Sequence, residues 1–285
     1  MTNPRSASDY ETRIGRAVYT VMLELGQVLG AYIDDVVVIG GVVPWLLINN
    51  SEDPHVGTAD IDLALDSSAL EVDERYAQMI ELLEQSGFER QQEGLHVFQM
   101  RRMVPVENGD PIPVILDFLK PAKPKVQGGK PPRLAKFRVI DAVGAEFALR
   151  NPRRVPLEGV MPDGRHNRVE LSVTDFPAFL VMKGHALMGR DKPKDAYDIY
   201  YVCKHYTDGH DALADSCRPL LTEAVALQGF KAIQDKFSQQ HGFGPDTVRD
   251  FLRTSATDVD SDFVHRDAFA QVNAFITALQ LPDDT

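Results

Sequence analysis

Three aspartates carry most of the chemistry that this sequence offers. Asp60 and Asp62 stand in the run Thr58-Ala59-Asp60-Ile61-Asp62-Leu63-Ala64-Leu65, and Asp117 in Pro113-Val114-Ile115-Leu116-Asp117-Phe118-Leu119. Side chains alternate faces along a strand. Asp60 and Asp62 are therefore expected on one face, with Ile61, Leu63 and Leu65 turned into a core. Two aspartates on one strand face are disfavoured by propensity and by like-charge repulsion. Carboxylates flanked by core residues are costly unless paired or bound to a metal. Three of them converging from two strands would suit Mg2+ or Mn2+, which prefer oxygen ligands. The chemistry is then phosphoryl-type transfer, in which positioning and charge neutralisation dominate. The plainer alternatives are a solvated strand edge for Asp60 and Asp62, and a loop-capping role for Asp117.

Other residues fit around that set. Gly40 and Gly41 end an apolar strand and lead into a short helix, a turn whose bare backbone suits phosphate. Lys183 shares a helical face with Phe176, Phe179, Leu180 and Leu187, and Arg190 and Lys194 continue its spacing of three and four. The three cations would line one side of a cleft facing a triphosphate; snorkelling is the plainer reading of Lys183. Asp195 and Asp198 open the next helix near Pro193, where negative charge is favourable anyway. Their alignment with Ile199 and Val202 suggests instead that they hold Lys183 or Arg190 in place, or contact substrate. From Lys120 to Arg138 there are seven basic residues and no acidic one. This tract is either a solvated loop or a track for an RNA backbone.

The elements that position these residues can be read from periodicity. A helix is expected over 9–31, a buried strand over 35–40, and a short helix from Trp45 to Ile48. A polar loop spans 51–58, the acidic strand 60–66, and a helix 72–85 that stops at Gly87. Strand-like segments follow at 88–92, 95–101 and 112–119. A loop over 121–132 holds four prolines and two glycines. Short strands are expected around Phe137 and Val169, and helices from Thr174 nearly to the end. The fold class is α+β, with a mixed sheet in residues 1–170 and a helical domain in 171–285 that completes the active-site cleft.

The order Gly-Gly, helix, Asp-x-Asp, later strand aspartate resembles the DNA polymerase β-like nucleotidyltransferase superfamily. The segment Val181-Met182-Lys183-Gly184-His185-Ala186-Leu187-Met188-Gly189-Arg190, leading into Lys194-Asp195-Ala196-Tyr197-Asp198-Ile199, resembles the signature of AbiEii/AbiGii-type nucleotidyltransferase toxins. The resemblance covers roughly residues 34–202. It implies an NTP substrate, a metal held by Asp60, Asp62 and Asp117, and catalytic roles for these three with Lys183 and Asp195. It implies nucleotide binding by Gly40, Gly41, Thr58, Lys183, Arg190, Lys194 and Asp198. It also implies a tRNA or other RNA acceptor and a cognate antitoxin of a type IV system. The chain departs from the family pattern at Val42, where Ser or Thr usually follows the two glycines, and at Val56, where an arginine is common. Transfer to a small molecule or protein, and a non-catalytic binding role, are the competing readings.

Composition sets the outer bounds. The chain has 285 residues, 44% of them hydrophobic, enough for one large domain or two of ordinary size. A formal net charge of -12 argues against nucleic-acid binding by the whole surface. No apolar stretch approaches the roughly 18 residues of a membrane helix, and the N-terminus has no apolar signal core. Cys203 and Cys217 lack metal-ligand spacing and read as reduced thiols. A cytoplasmic location without membrane contact is the expectation.

Overall fold

The computed structural model describes residues 6–7, 12–66, 75–90, 92–106, 109–122, 138–189, 192–253 and 261–282. They divide into two units, one spanning residues 12–43 and 57–175, the other residues 6–7, 44–56 and 176–282. The sequence suggests a single boundary near 170. The structure instead divides the chain after Asp175 and gives the stretch between the glycine turn and the acidic strand to the helical unit.

The first unit is built on one mixed sheet. Its strands are β1 (Val36–Ile39), β2 (Asp60–Leu65), β3 (Gln99–Val104), β4 (Ile112–Pro121), β5 (Ile140–Ala142), β6 (Arg153–Val160) and β7 (His166–Val173). The order is β3-β4-β2-β1-β7-β6, and β5 pairs with β4 beyond the end of β3. β1 is four β-branched residues, all buried, as suits a central strand. β2 runs antiparallel to β1 and parallel to β4. Helix α1 (Thr12–Val28) lies against β7, β6, β4 and β3. Its Val18, Val21, Met22 and Leu25 are buried at helical spacing. Helix α2 (Val43–Leu47), only five residues long, begins at the last residue of this stretch of the first unit, and its Pro44–Leu47 belong to the second. Helix α3 (Arg75–Gln85) buries Tyr76, Met79, Ile80 and Leu83, and Gly87 ends the segment at positive φ.

Two elements of this unit escape the sequence reading. Helix α4 (Ala145–Arg150) has only six residues, too few for periodicity to register. β6 contains Pro156 and Gly159, which break a strand pattern, yet it pairs with β7 along its whole length. Conversely, the strand expected over 88–92 is a single bridge between Glu89 and Arg101. The strand expected from Leu95 begins only at Gln99. Phe137 lies outside the described residues.

The second unit is helical, as expected from Thr174 onward. It comprises α5 (Phe176–Gly189), α6 (Pro193–His205), α7 (Gly209–Cys217), α8 (Ala224–Lys236), α9 (Phe243–Leu252) and α10 (Ser261–Leu279). α5 packs on α8 at two glycines. A Cβ on Gly184 would overlap the Gly229 backbone, so the helices approach where neither has a side chain. α6 lies against α5, α9 and α10, and ten of its thirteen residues are buried. Among the described residues no helix is long and apolar enough to cross a membrane.

Candidate functional site

The first unit gathers its three aspartates on one sheet face. Asp62 stands in register with Asp117 across the parallel β2–β4 pair, and Asp60 two positions earlier pairs with Ile115. Registered neighbours share a face, so all three carboxylates project from the same side. All are half-buried, while Ile61 and Leu63 between and after them are fully buried on the other side. The alternation read from the sequence places these residues as the structure does.

Each carboxylate has a distinct neighbour. Thr58 Oγ1 donates to Asp60 Oδ1 at 2.6 Å. Gln99 Nε2 donates to Asp117 Oδ1 at 2.7 Å. Gly40 faces Asp62: it sits at φ +76, and a Cβ there would overlap the Asp62 carboxylate. Glycine is thus required twice, by backbone conformation and by the closeness of the acid. Gly41 and Val42 are buried in the following 3-10 turn. Val42 is fully buried in the core. With only five residues, α2 offers a weak dipole, so the glycine turn rather than the helix is what could approach an anion.

The second unit assembles a different cluster. Lys183 Nζ donates to Asp195 Oδ1 at 2.6 Å and pairs with Asp198 Oδ2 at 2.7 Å. Lys194 Nζ donates to Asp198 Oδ1 at 2.7 Å, one turn back along α6. Asp195 and Asp198 are completely buried and Lys194 nearly so. Among the described residues, two ammoniums and two carboxylates thus meet inside the protein. Burial alone would raise the Asp198 pKa, but Lys183 and Lys194 outweigh it and hold the carboxyl below its usual range. Burial pushes the Lys194 pKa down. Lys183 and Lys194 are therefore embedded in ion pairs and do not stand on an open basic face, and Arg190 lies outside the described residues.

His55 joins this cluster, and nothing in the sequence singles it out. Burial lowers its pKa from 6.5 to about 4, with Lys194 adding to the effect. It is neutral near pH 7, so its Nε2–H donates to Asp198 Oδ1 at 2.9 Å. Its ring stacks on Tyr197 and meets the edge of Tyr201. Neighbouring contacts tie the rest of the stretch to α6. Asn50 and Asp53 bond His205, Tyr201 Oη donates to the Asp53 carbonyl, and the Val56 N–H donates to Tyr197 Oη. The polar loop expected at 51–58 is thus a strap fixed along one helix.

The basic tract is described only at its ends. Lys120 is buried, and its Nζ donates to Asp141 at 2.5 Å, so it is committed to the β4–β5 pair. Lys123, Lys125, Lys130, Arg133 and Lys136 lie outside the described residues. Arg153 and Arg154 stand on β6, where Arg154 bonds Ser172 and pairs with Asp34.

As for a metal, the donor type fits: three hard carboxylates share one face. Among the described residues, however, no group of three or more His, Cys, Asp or Glu side chains forms a metal-holding cluster.

The family model described as "Nucleotidyl transferase AbiEii toxin, Type IV TA system" matches residues 52–269. No curated protein matches the chain. Among solved structures, an antigenic nucleotidyltransferase-like protein from Paracoccidioides brasiliensis is 17% identical, with a TM-score of 0.44 over 78% of this chain and 88% of that one. A candidate nucleotidyltransferase from H. pylori is 12% identical, with a TM-score of 0.43 over 93% of this chain and 96% of that one. The family match spans most of the chain, and with the α+β core, the aspartate face and the helical region it shows that this protein belongs to the AbiEii nucleotidyltransferase toxin family of type IV toxin–antitoxin systems.

Proposed function

We propose that the protein is a Mg2+- or Mn2+-dependent nucleotidyltransferase that moves nucleotides from an NTP onto tRNA or another RNA. The observation that carries this reading is the register of Asp62 with Asp117, with Asp60 on the same face and the Gly40 backbone against Asp62. In this reading Asp60, Asp62 and Asp117 hold the metal at the NTP phosphates. The metal would neutralise phosphate charge as the transferred group moves. Asp117 orients the attacking hydroxyl or takes its proton. Thr58 keeps Asp60 oriented through its hydroxyl donor, and Gly40 and Gly41 let phosphate approach bare backbone.

The second unit enters the proposal through its Lys-Asp motif. Lys183 keeps its phosphate-binding role from its place in the motif alone, since its ammonium is paired with Asp195 and Asp198. Lys194 is assigned to the same network, and Arg190 keeps its nucleotide-binding role from its place in the motif. The RNA acceptor is supported by the run of basic residues after Asp117 in a chain of net charge -12. A cognate antitoxin is the partner that family membership implies. Incubation with each labelled NTP, Mg2+ and total RNA tests the proposal. Label in RNA supports it, label in protein or a small molecule changes the acceptor, and no NTP use by any of the four refutes it.

A further inference from the structure

Gln99 is the first residue of β3 and stands opposite Asp117 in the antiparallel β3–β4 register. Its side-chain amide is engaged at both ends. Oε1 accepts from the His96 backbone N–H at 3.0 Å, and Nε2 donates to Asp117 Oδ1 at 2.7 Å. The partners fix which end is which, since a backbone N–H only donates and a carboxylate only accepts. The backbone closes the same turn, with Gln99 N donating to His96 O at 3.0 Å. Phe118 N also donates to Phe98 O at 3.2 Å, so the strand around Asp117 is tied to this turn as well.

The residue type follows from those two partners. A side-chain amide of this length can accept from one neighbour and donate to the other at once. Glutamate would keep the His96 contact and turn a second carboxylate on Asp117. Methionine would match the length and make neither bond. We infer that Gln99 is a positioning residue for Asp117, holding its carboxylate in one orientation through an amide that the 96–99 turn fixes in place. This rests on Asp117 being the third carboxylate of the proposed site. Partners of ligating carboxylates commonly change metal affinity or activity by about 10–100-fold when removed.

The test compares wild type, Gln99→Met, Asp117→Asn and the double variant. Mn2+ binding is followed by loss of the free-ion EPR signal, with the metal alone and with non-hydrolysable analogues of the four NTPs, and each protein's thermal midpoint is measured. The expected result is Mn2+ affinity about 10–100-fold weaker in Gln99→Met at a nearly unchanged midpoint. The double variant should bind no more weakly than Asp117→Asn alone, because Gln99 acts through Asp117. If Gln99→Met fails to fold, Gln99→Thr replaces it, a strand-favouring residue too short to reach Asp117. Binding within twofold of wild type in the Gln99 variant, while Asp117→Asn is at least tenfold weaker, overturns the inference. So does an additive double variant. Wild-type Mn2+ binding by Asp117→Asn, or no Mn2+ binding by wild type under any condition, instead removes the reading of the site on which the inference stands.

Discussion

Asp62 stands between the Gly40 backbone and Asp117, and both neighbours lead to predictions. Asp62→Ala removes one of three like charges from a half-buried face. Transfer should be lost while the thermal midpoint holds or rises slightly, as incorporation assays and melting on one preparation would reveal. Near wild-type transfer would end the assignment of Asp62. Gly40→Ala acts on the same atom from the other side. The backbone cost of a non-glycine residue at φ +76 is about 1–3 kcal/mol, and the new Cβ displaces the Asp62 carboxylate. A lower midpoint together with lost transfer is expected; unchanged transfer would show that Asp62 tolerates displacement. The aspartates and glycines are legible in the sequence because alternation and residue type alone nearly specify their geometry. Gln99 and His55 are not. Gln99 lies 18 residues from Asp117 and His55 143 residues from Asp198, and only folding pairs them.

Helix α6 concentrates the charges of the second unit, and its stability should reflect that. Removing one member of a buried ion cluster leaves an uncompensated charge, at about 3–5 kcal/mol. Asp198→Ala should therefore lower stability in chemical denaturation by about that amount, since Asp198 is fully buried and paired with Lys183 and Lys194. A change below about 1 kcal/mol would mean the cluster is looser than its geometry indicates. The strap adds a pH dependence through His55. Its pKa is 6.5 when unfolded and about 4 when folded, so between these values the unfolded chain binds more protons. Stability is then full above pH 6.5 and falls as pH drops towards 4, by on the order of 3 kcal/mol. His55→Gln cannot titrate there, and its midpoint should be flatter over the same range; identical slopes would exclude His55 as the source. The helices after Thr174 are plain in the sequence because their apolar stripes are long. The strap is not, because a polar segment such as Asn50–His55 draws its order from partners on a distant helix.

For the whole molecule, a net charge of -12 makes the sign reversal between Lys120 and Arg138 the feature that bears on an RNA acceptor. Lys120 is already paired with Asp141, so Lys123, Lys125 and Lys130 are the residues to neutralise. If they contact RNA phosphates, the slope of log K against log salt should become shallower by roughly 0.7–0.9 per lost contact. Filter binding across a salt series would measure it, and an unchanged slope would leave the tract as a solvated segment. The α+β division was legible at this scale from the change of periodicity near Thr174. The assignment of residues 44–56 to the helical unit was not, since residues 57–175 of the sheet unit separate them from the helices along the chain. The most direct test of the central claim is incorporation of labelled nucleotide into RNA by wild type and Asp60→Ala/Asp62→Ala proteins, with and without Mg2+. Label in RNA that requires both Mg2+ and the aspartates is the predicted result. Incorporation that is equal in the double variant, or absent with all four NTPs in wild type, would contradict it.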